Sequence, residues 1–367
     1  MIKSFKLLII ITFTLSSNYI FSQHLNYKHI DTIVGKVVSN NKFSGVVLIA
    51  DNGDIKYSKA FGYIDFAKKS KLNKKSIFEL ASVSKQFTAM TMMMLQEKGL
   101  LSYDDKVENF LTIPYKGITI RHLLTHTSGL PDYQAIMDTY WDKSKVAGND
   151  DIIHYLNQYA PSKLFEPGEK YLYSNTGYVL LASIVEKITG RDFIEFCNTE
   201  IFNKLHLRNT RIRSISEKAA IKNFALGHVF VPERNTYIRA DSFPSSNYTI
   251  WLGNRKGPGR ISSTVEDLLK WDQALYTNKI VSQTTLAEAF KPMVLNNGSV
   301  SNYGFGWVLQ PNENIVWHNG DNPGYKTIII RFLSTNKTLI ILCNNATDAF
   351  ENLVAALRND IQPLIVP

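Results

Sequence analysis

The hydrophobic period of this chain changes twice between its ends. Toward the front, residues 27–40 repeat apolar positions at helical spacing, and two β-rich runs follow, Phe43-Ser-Gly-Val-Val-Leu-Ile-Ala50 and residues 55–63. Asp51-Asn-Gly53 stands between the runs. Asn-Gly tolerates the positive φ of a tight turn, so this segment predicts a β-hairpin. From 100 to about 295 the spacing is mainly helical, with helices expected at 118–125, 150–159, 177–189, 192–202 and 264–276. Pro161, Pro167-Gly168, Pro232, Pro244 and Gly257-Pro258-Gly259 punctuate this stretch, and 224–231 with 236–241 read as a small β excursion. Strand patterns return at 304–309, 315–318, 326–333 and 337–344, and a helix at 349–361 closes the chain. Strands at both ends with helices between predict an α+β fold, an α/β sandwich. One sheet is built from both chain ends, helices pack on it, and a mainly helical lobe is inserted midway. The sheet lobe takes about 24–75 and 296–367, and the helical lobe about 76–295.

One stretch between the lobes is unusual. Phe78-Glu-Leu-Ala-Ser82-Val-Ser-Lys85-Gln-Phe-Thr-Ala-Met90-Thr-Met-Met-Met94-Leu-Gln-Glu-Lys-Gly99 spaces Val83, Phe87, Met90 and Met94 as a helix, and Ala89, Met92 and Met93 add further apolar faces. A helix apolar nearly all round belongs inside a domain. Its first turn nevertheless carries Ser82 and Lys85 on one face, where the amine can take the hydroxyl's proton. A helix N-terminus also stabilises negative charge developing nearby.

Bulk properties narrow the choices. A chain of 367 residues, 44% hydrophobic, can bury a large core. The formal charge of +9 comes from 41 Lys+Arg against 32 Asp+Glu, with Lys68-Lys69 and Lys74-Lys75 the densest basic patch. No Arg/Lys-rich helix or aromatic-interleaved strip points to nucleic acid. Residues 1–22 read as a signal peptide: Lys3 and Lys6 precede a short apolar core at 7–15, and Ser22 suits cleavage before Gln23. That core is well short of the ~20 residues that span a bilayer. Export to a periplasm or the outside is therefore expected, with residues 23–367 as one domain and no stable membrane insertion. Cys197 and Cys343 both lie in apolar contexts and read as two buried free thiols.

The tetrapeptide S-x-x-K means little alone, since Ser39–Lys42 and Ser334–Lys337 repeat it in turns. Tyr173-Ser-Asn175 lies between Glu166-Pro-Gly168 and the helix from Gly177, in a loop anchored on both sides that can present a phenol and an amide. His318-Asn-Gly320 ends a strand-like run, and a strand edge that stops at Gly exposes backbone N–H groups suited to an oxyanion hole.

In this order the three motifs resemble the serine β-lactamase and penicillin-binding-protein superfamily, most closely the class C β-lactamase, D-alanyl-D-alanine carboxypeptidase and esterase branch. Arg121-His-Leu-Leu-Thr-His126-Thr-Ser-Gly-Leu-Pro131, Glu166-Pro-Gly168 and Gly257-Pro-Gly259-Arg-Ile-Ser-Ser-Thr-Val-Glu-Asp267 extend the resemblance over nearly the whole mature chain. It implies an antiparallel sheet flanked by helices, a helical lobe, and a site between them. It also implies that Ser82 attacks an acyl carbonyl, that Lys85 and Tyr173 share the proton traffic in an order left open, and that Asn175 orients Lys85 and the substrate amide. His318 and Gly320 join Asn175 in substrate binding, and the N–H groups of Ser82 and Asp321 form the oxyanion hole. Tyr173 is the default activator of the deacylating water. No metal or organic cofactor is implied, and the partner is a small-molecule or peptide acyl donor, cell-wall-derived peptides among them. Two departures stand out. The family often has Lys where this chain has His318, and a neutral His is the weaker carboxylate anchor. Asp321 would place its side chain near an oxyanion donor and repel anionic substrates. An amide or ester hydrolase is expected, with a true β-lactamase and a non-catalytic binding or sensor domain as the alternatives.

Overall fold

The computed structural model describes residues 27–39 and 43–362. The expected signal segment and Lys42 lie outside them. The elements that frame the site are helix α1 (Tyr27–Ser39), strands β1 (Gly45–Asp51) and β2 (Asp54–Phe61), and helices α2 (Lys85–Glu97), α3 (Asn175–Thr189) and α4 (Val265–Ala274). Strands β3 (Val308–Gln310), β4 (Ile315–Asn322), β5 (Tyr325–Phe332) and β6 (Lys337–Cys343) follow, and helix α5 (Ala349–Ile361) comes last.

The six strands form one antiparallel sheet in the order β3-β4-β5-β6-β1-β2. The first strand pairs with the last, Val47 opposite Ile341, so the chain ends close the sheet as the strand pattern predicts. β1, β5 and β6 read as continuous apolar runs because both faces are covered. Val47, Ile49, Ile328, Ile330, Leu339 and Ile341 pack against Ile30 and Val34 of α1 and Phe350, Leu353 and Leu357 of α5. Val46, Leu48, Ile329, Ile340 and Leu342 face the second core, with Phe87 and Met90 of α2 and Trp271 of α4. Arg331 of β5 and Asp272 of α4, both buried, meet at 2.6 Å, and Thr338 also donates to Asp272 at 2.6 Å. Cys197 and Cys343 are buried free thiols in different cores, as expected.

The structure corrects several boundaries. The helix expected at 192–202 is helical over Phe193–Cys197 and then widens into a π-turn at Asn198–Asn203. The strand expected at 304–309 shrinks to Val308–Gln310. A Cβ on Gly304 would stand 1.9 Å from Ala289 O, and Gly306 has a φ of 77°, so these glycines serve a close approach and a turn. The strand expected to stop at His318 runs on to Asn322, because the turn that reverses the chain is Pro323-Gly324, with Gly324 at φ 81°. A helix at Tyr133–Tyr140, capped by Asp132, gave no clear period in the sequence.

Candidate active site

Ser82 does not open the α-helix itself. It sits in a 3-10 turn, Ala81–Ser84, that leads into α2, and Ala81 just before it has a φ of 48°. A non-glycine residue in the left-handed region is strained, and the surroundings must hold it there. The bond from Leu80 N–H to Ile261 O, 2.9 Å, ties the turn to Ile261–Ser263. That short strand pairs with Phe78–Glu79 and Arg211–Ile212. On the other side β4 presses on the turn: a Cβ on Gly320 would stand 2.2 Å from Leu80 O. Only glycine permits that approach.

Lys85, the first residue of α2, is completely buried. Its Nζ lies 3.1 Å from Ser82 Oγ, 2.8 Å from Asn175 Oδ1 and 2.9 Å from the Pro258 carbonyl. Gly257, at φ 106°, lets the Pro258 loop lie on α3, where a Cβ would stand 2.0 Å from Tyr178 O. Thr88 of α2 fastens the same loop by donating to Gly257 O at 2.7 Å. Burial, and secondarily the nearby Arg255 guanidinium, hold the Lys85 amine well below its ordinary range.

The Tyr173 ring lies beside Lys85, 4.7 Å from Nζ to centroid, and one edge reaches the surface. Burial of its hydroxyl pushes the phenol above the usual tyrosine value, while a hydrogen bond with Ser82 pulls the other way. The loop carrying Tyr173 is laced to the stretch 126–131. Leu172 N–H donates to His126 O at 2.9 Å, and Ser174 N–H donates to His126 Nδ1 at 3.1 Å. Thr176 Oγ1 donates to Pro131 O at 2.7 Å and accepts from Tyr133 N–H at 2.9 Å. His126, itself at φ 58°, stacks on Tyr173 with ring centroids 4.2 Å apart.

β3 pairs β4 only at 315–317, so His318 to Asn322 keep one edge open toward Ser82. Counting back from the two-residue turn, Asn322 opposite Tyr325 is a hydrogen-bonded pair and Asp321 opposite Lys326 is not. The Asp321 N–H therefore points to the open edge. Its carboxylate does not crowd that edge: it meets Lys326, 3.5 Å away, which also pairs with Glu351 of α5 on the covered face. The expectation that the Asp321 side chain sits near the oxyanion donor is corrected: the carboxylate lies toward Lys326.

His318 is placed differently from a substrate anchor. Its ring is buried, with Nδ1 2.5 Å from Asn319 O and Nε2 2.8 Å from Tyr303 Oη. A carbonyl only accepts, so Nδ1 carries the proton and Nε2 accepts from Tyr303. Burial, and then Lys85, lower its pKa to about 3, so the ring is neutral and both nitrogens are engaged. Tyr303, Arg255 and His126 border the site and were given no role from sequence. His126 lies in a quoted stretch, Tyr303 is followed by two glycines in Tyr303-Gly-Phe-Gly-Trp307, and Arg255 carries no local signal. Among the described residues no group of His, Cys, Asp and Glu could hold a metal ion. A cavity of about 660 Å³ shares Glu79 and Asn322 with this region but does not reach Ser82, Lys85, Tyr173 or Asn175.

The arrangement brings together a serine hydroxyl, a buried amine, an amide oxygen and a phenol, with the Asp321 N–H on the open strand edge. The family model described as beta-lactamase matches residues 30–362. Penicillin-binding protein 4* of Bacillus subtilis is 43% identical over 350 residues, covering 93% of this chain and 77% of that protein. A penicillin binding protein from Bacillus halodurans superposes with a TM-score of 0.76 at 26% identity, covering 90% of this chain and 98% of that one. D-amino acid amidase from Ochrobactrum anthropi SV3 shares the fold with a TM-score of 0.73 at 23% identity, covering 91% and 98%. The chain belongs to the beta-lactamase family, as a serine hydrolase of the penicillin-binding-protein-like type.

Proposed function

We propose that this protein is an exported hydrolase that cleaves an amide or ester, a D-amino-acid peptide or a carboxylic ester, through an acyl-Ser82 intermediate. The observation that carries this reading is the set of contacts around Lys85 Nζ. Two of its neighbours, Asn175 Oδ1 and Pro258 O, only accept hydrogen bonds. A neutral amine has two N–H groups for them, which leaves its lone pair for the Ser82 hydroxyl. With burial holding the amine well below its ordinary range and the phenol raised above its own, we take Lys85 as the general base and Tyr173 as a neutral phenol. Ser82 Oγ attacks the acyl carbon as its proton passes to Lys85, and the oxyanion meets the N–H groups of Ser82 and Asp321. Each such donor is worth ~3–4 kcal/mol in related acyl transfers. Tyr173 then gives its phenolic proton to the leaving group and is reprotonated from Lys85, whose Nζ lies 4.7 Å from the Tyr173 ring centroid. Water in the leaving group's place reverses these steps and frees Ser82.

The neutral, occupied His318 ring argues against efficient β-lactam hydrolysis, so nitrocefin turnover should be slow beside that of p-nitrophenyl esters. Amide substrates are supported by the amidase with this fold. A fluorophosphonate probe should label the wild type and leave Ser82→Ala unlabelled. Labelling that persists in the variant would show a different nucleophile, and no labelling of either would favour a binding domain. Export is supported by the sequence of residues 1–22, and N-terminal sequencing of secreted protein should begin at Gln23.

A further inference from the structure

A cation with no carboxylate partner among the described residues borders the proposed acyl-transfer site. Arg255 is 8% exposed, and its Nη1 contacts the Tyr133 hydroxyl. Its Nε is buried with no hydrogen-bond partner, and among the described residues no carboxylate pairs with it. Arg260, buried beside it, spends Nη2 on the Arg213 carbonyl at 2.7 Å and leaves Nη1 unpartnered. Glu79 acts on both guanidiniums from a distance, but it is held by Lys218 at 2.6 Å. A buried charge that lacks an opposite charge is costly, so this arrangement is short of an anion.

The position of Arg255 says which anion. A Cβ on Gly259 would stand 3.7 Å from Ala81 O and 3.8 Å from Arg255 Nη2, so the guanidinium lies across Gly259 from the turn that carries Ser82. Tyr248, which also feels Arg255, reaches to 3.5 Å from Asn322 Oδ1 at the end of β4. The guanidinium thus lies near the Ser82 turn, while His318 of β4 is neutral and Lys326 of β5 is paired on the covered face. We propose that Arg255 receives a carboxylate of the acyl donor and is the specificity-determining cation of this site. A planar guanidinium suits that task through paired N–H donors, which a lysine in its place would lack.

This inference rests on the hydrolase reading, and one experiment separates the two. Turnover is measured on two matched pairs: p-nitrophenyl hemisuccinate with p-nitrophenyl butyrate, and a peptide ending in D-Ala-D-Ala with its C-terminal carboxamide. The wild type should prefer the carboxylate member of one pair at least tenfold in kcat/KM. Arg255→Gln should lower that ratio about tenfold or more, and Arg255→Lys should restore part of it. Any loss of Lys85 basicity acts on both members of a pair and cancels in the ratio. The pair that responds tells whether the acyl side or the leaving group carries the anion. Turnover of both pairs without charge preference in the wild type, or a ratio unmoved in Arg255→Gln, overturns the proposal while leaving the hydrolase reading intact. Absence of turnover on all four substrates together with absence of fluorophosphonate labelling overturns both.

Discussion

At Lys85 burial works against the charged form of a residue that is ordinarily protonated. The ammonium form would need solvation that the interior between α2, α3 and the Pro258 loop does not supply, and Arg255 adds repulsion. An amine base works only when deprotonated, so kcat/KM for a neutral ester should rise with pH and level off well below the ordinary lysine value of 10.5. A pH–rate profile with an acid limb centred near that value would contradict it. His318 gives a second test. Its pKa in the folded state is about 3 against 6.5 for the free side chain, so between these values the unfolded chain binds the extra proton. Stability from this group is present above pH 6.5 and is lost as pH falls toward 3. Acid unfolding followed by circular dichroism should show His318→Gln losing less stability than the wild type across that window. At this scale Ser82, Lys85, Tyr173 and Asn175 were legible as residue types in family order. The engagement of His318 by Tyr303 was not, because Tyr303 approaches from a loop fifteen residues earlier.

At the scale of elements, the site depends on how closely β4 approaches the turn before α2. Gly320→Ala would put a methyl 2.2 Å from Leu80 O and 2.3 Å from Thr327 Oγ1, and Thr327 is itself bonded to Leu80 O at 2.8 Å. The strand must move away, at a cost of about 1–3 kcal/mol for overpacking. The Asp321 N–H moves with it, and a displacement of ~1 Å can cost ~100-fold in rate. Thermal unfolding and ester turnover should therefore both suffer in Gly320→Ala, and an unaltered rate would mean that β4 does not set the oxyanion geometry. The hairpin at β1 and β2 and helices α3, α4 and α5 were legible because their periods match their burial. Strand β4 was misjudged at Asn319-Gly-Asp321, where the polar residues look like a turn. Pairing with β5 overrides that local preference and moves the reversal to Pro323-Gly324.

Across the whole molecule, the site persists only while α4 and the sheet stay packed together. The Arg331–Asp272 pair joins them in the core, and both side chains are buried. Removing one partner strands the other charge, so Asp272→Ala should lose about 3–5 kcal/mol in urea unfolding, more than the double variant Asp272→Leu, Arg331→Met. Equal losses would mean that the pair contributes little beyond its packing. Periodicity was enough to determine one sheet from both chain ends with helices inserted, because which residues must leave water is written locally, every two or every 3.6 positions. Chemical order along the chain was enough to determine the reaction family. Tertiary structure alone decided that the Lys85 amine is buried and held below its ordinary range, that Asp321 turns its carboxylate toward Lys326, that His318 is occupied, and that Arg255 lies near the Ser82 turn with no carboxylate partner among the described residues. Charge state and hydrogen-bond partnership depend on what surrounds a group in three dimensions, and for these residues those surroundings come from segments far apart in sequence.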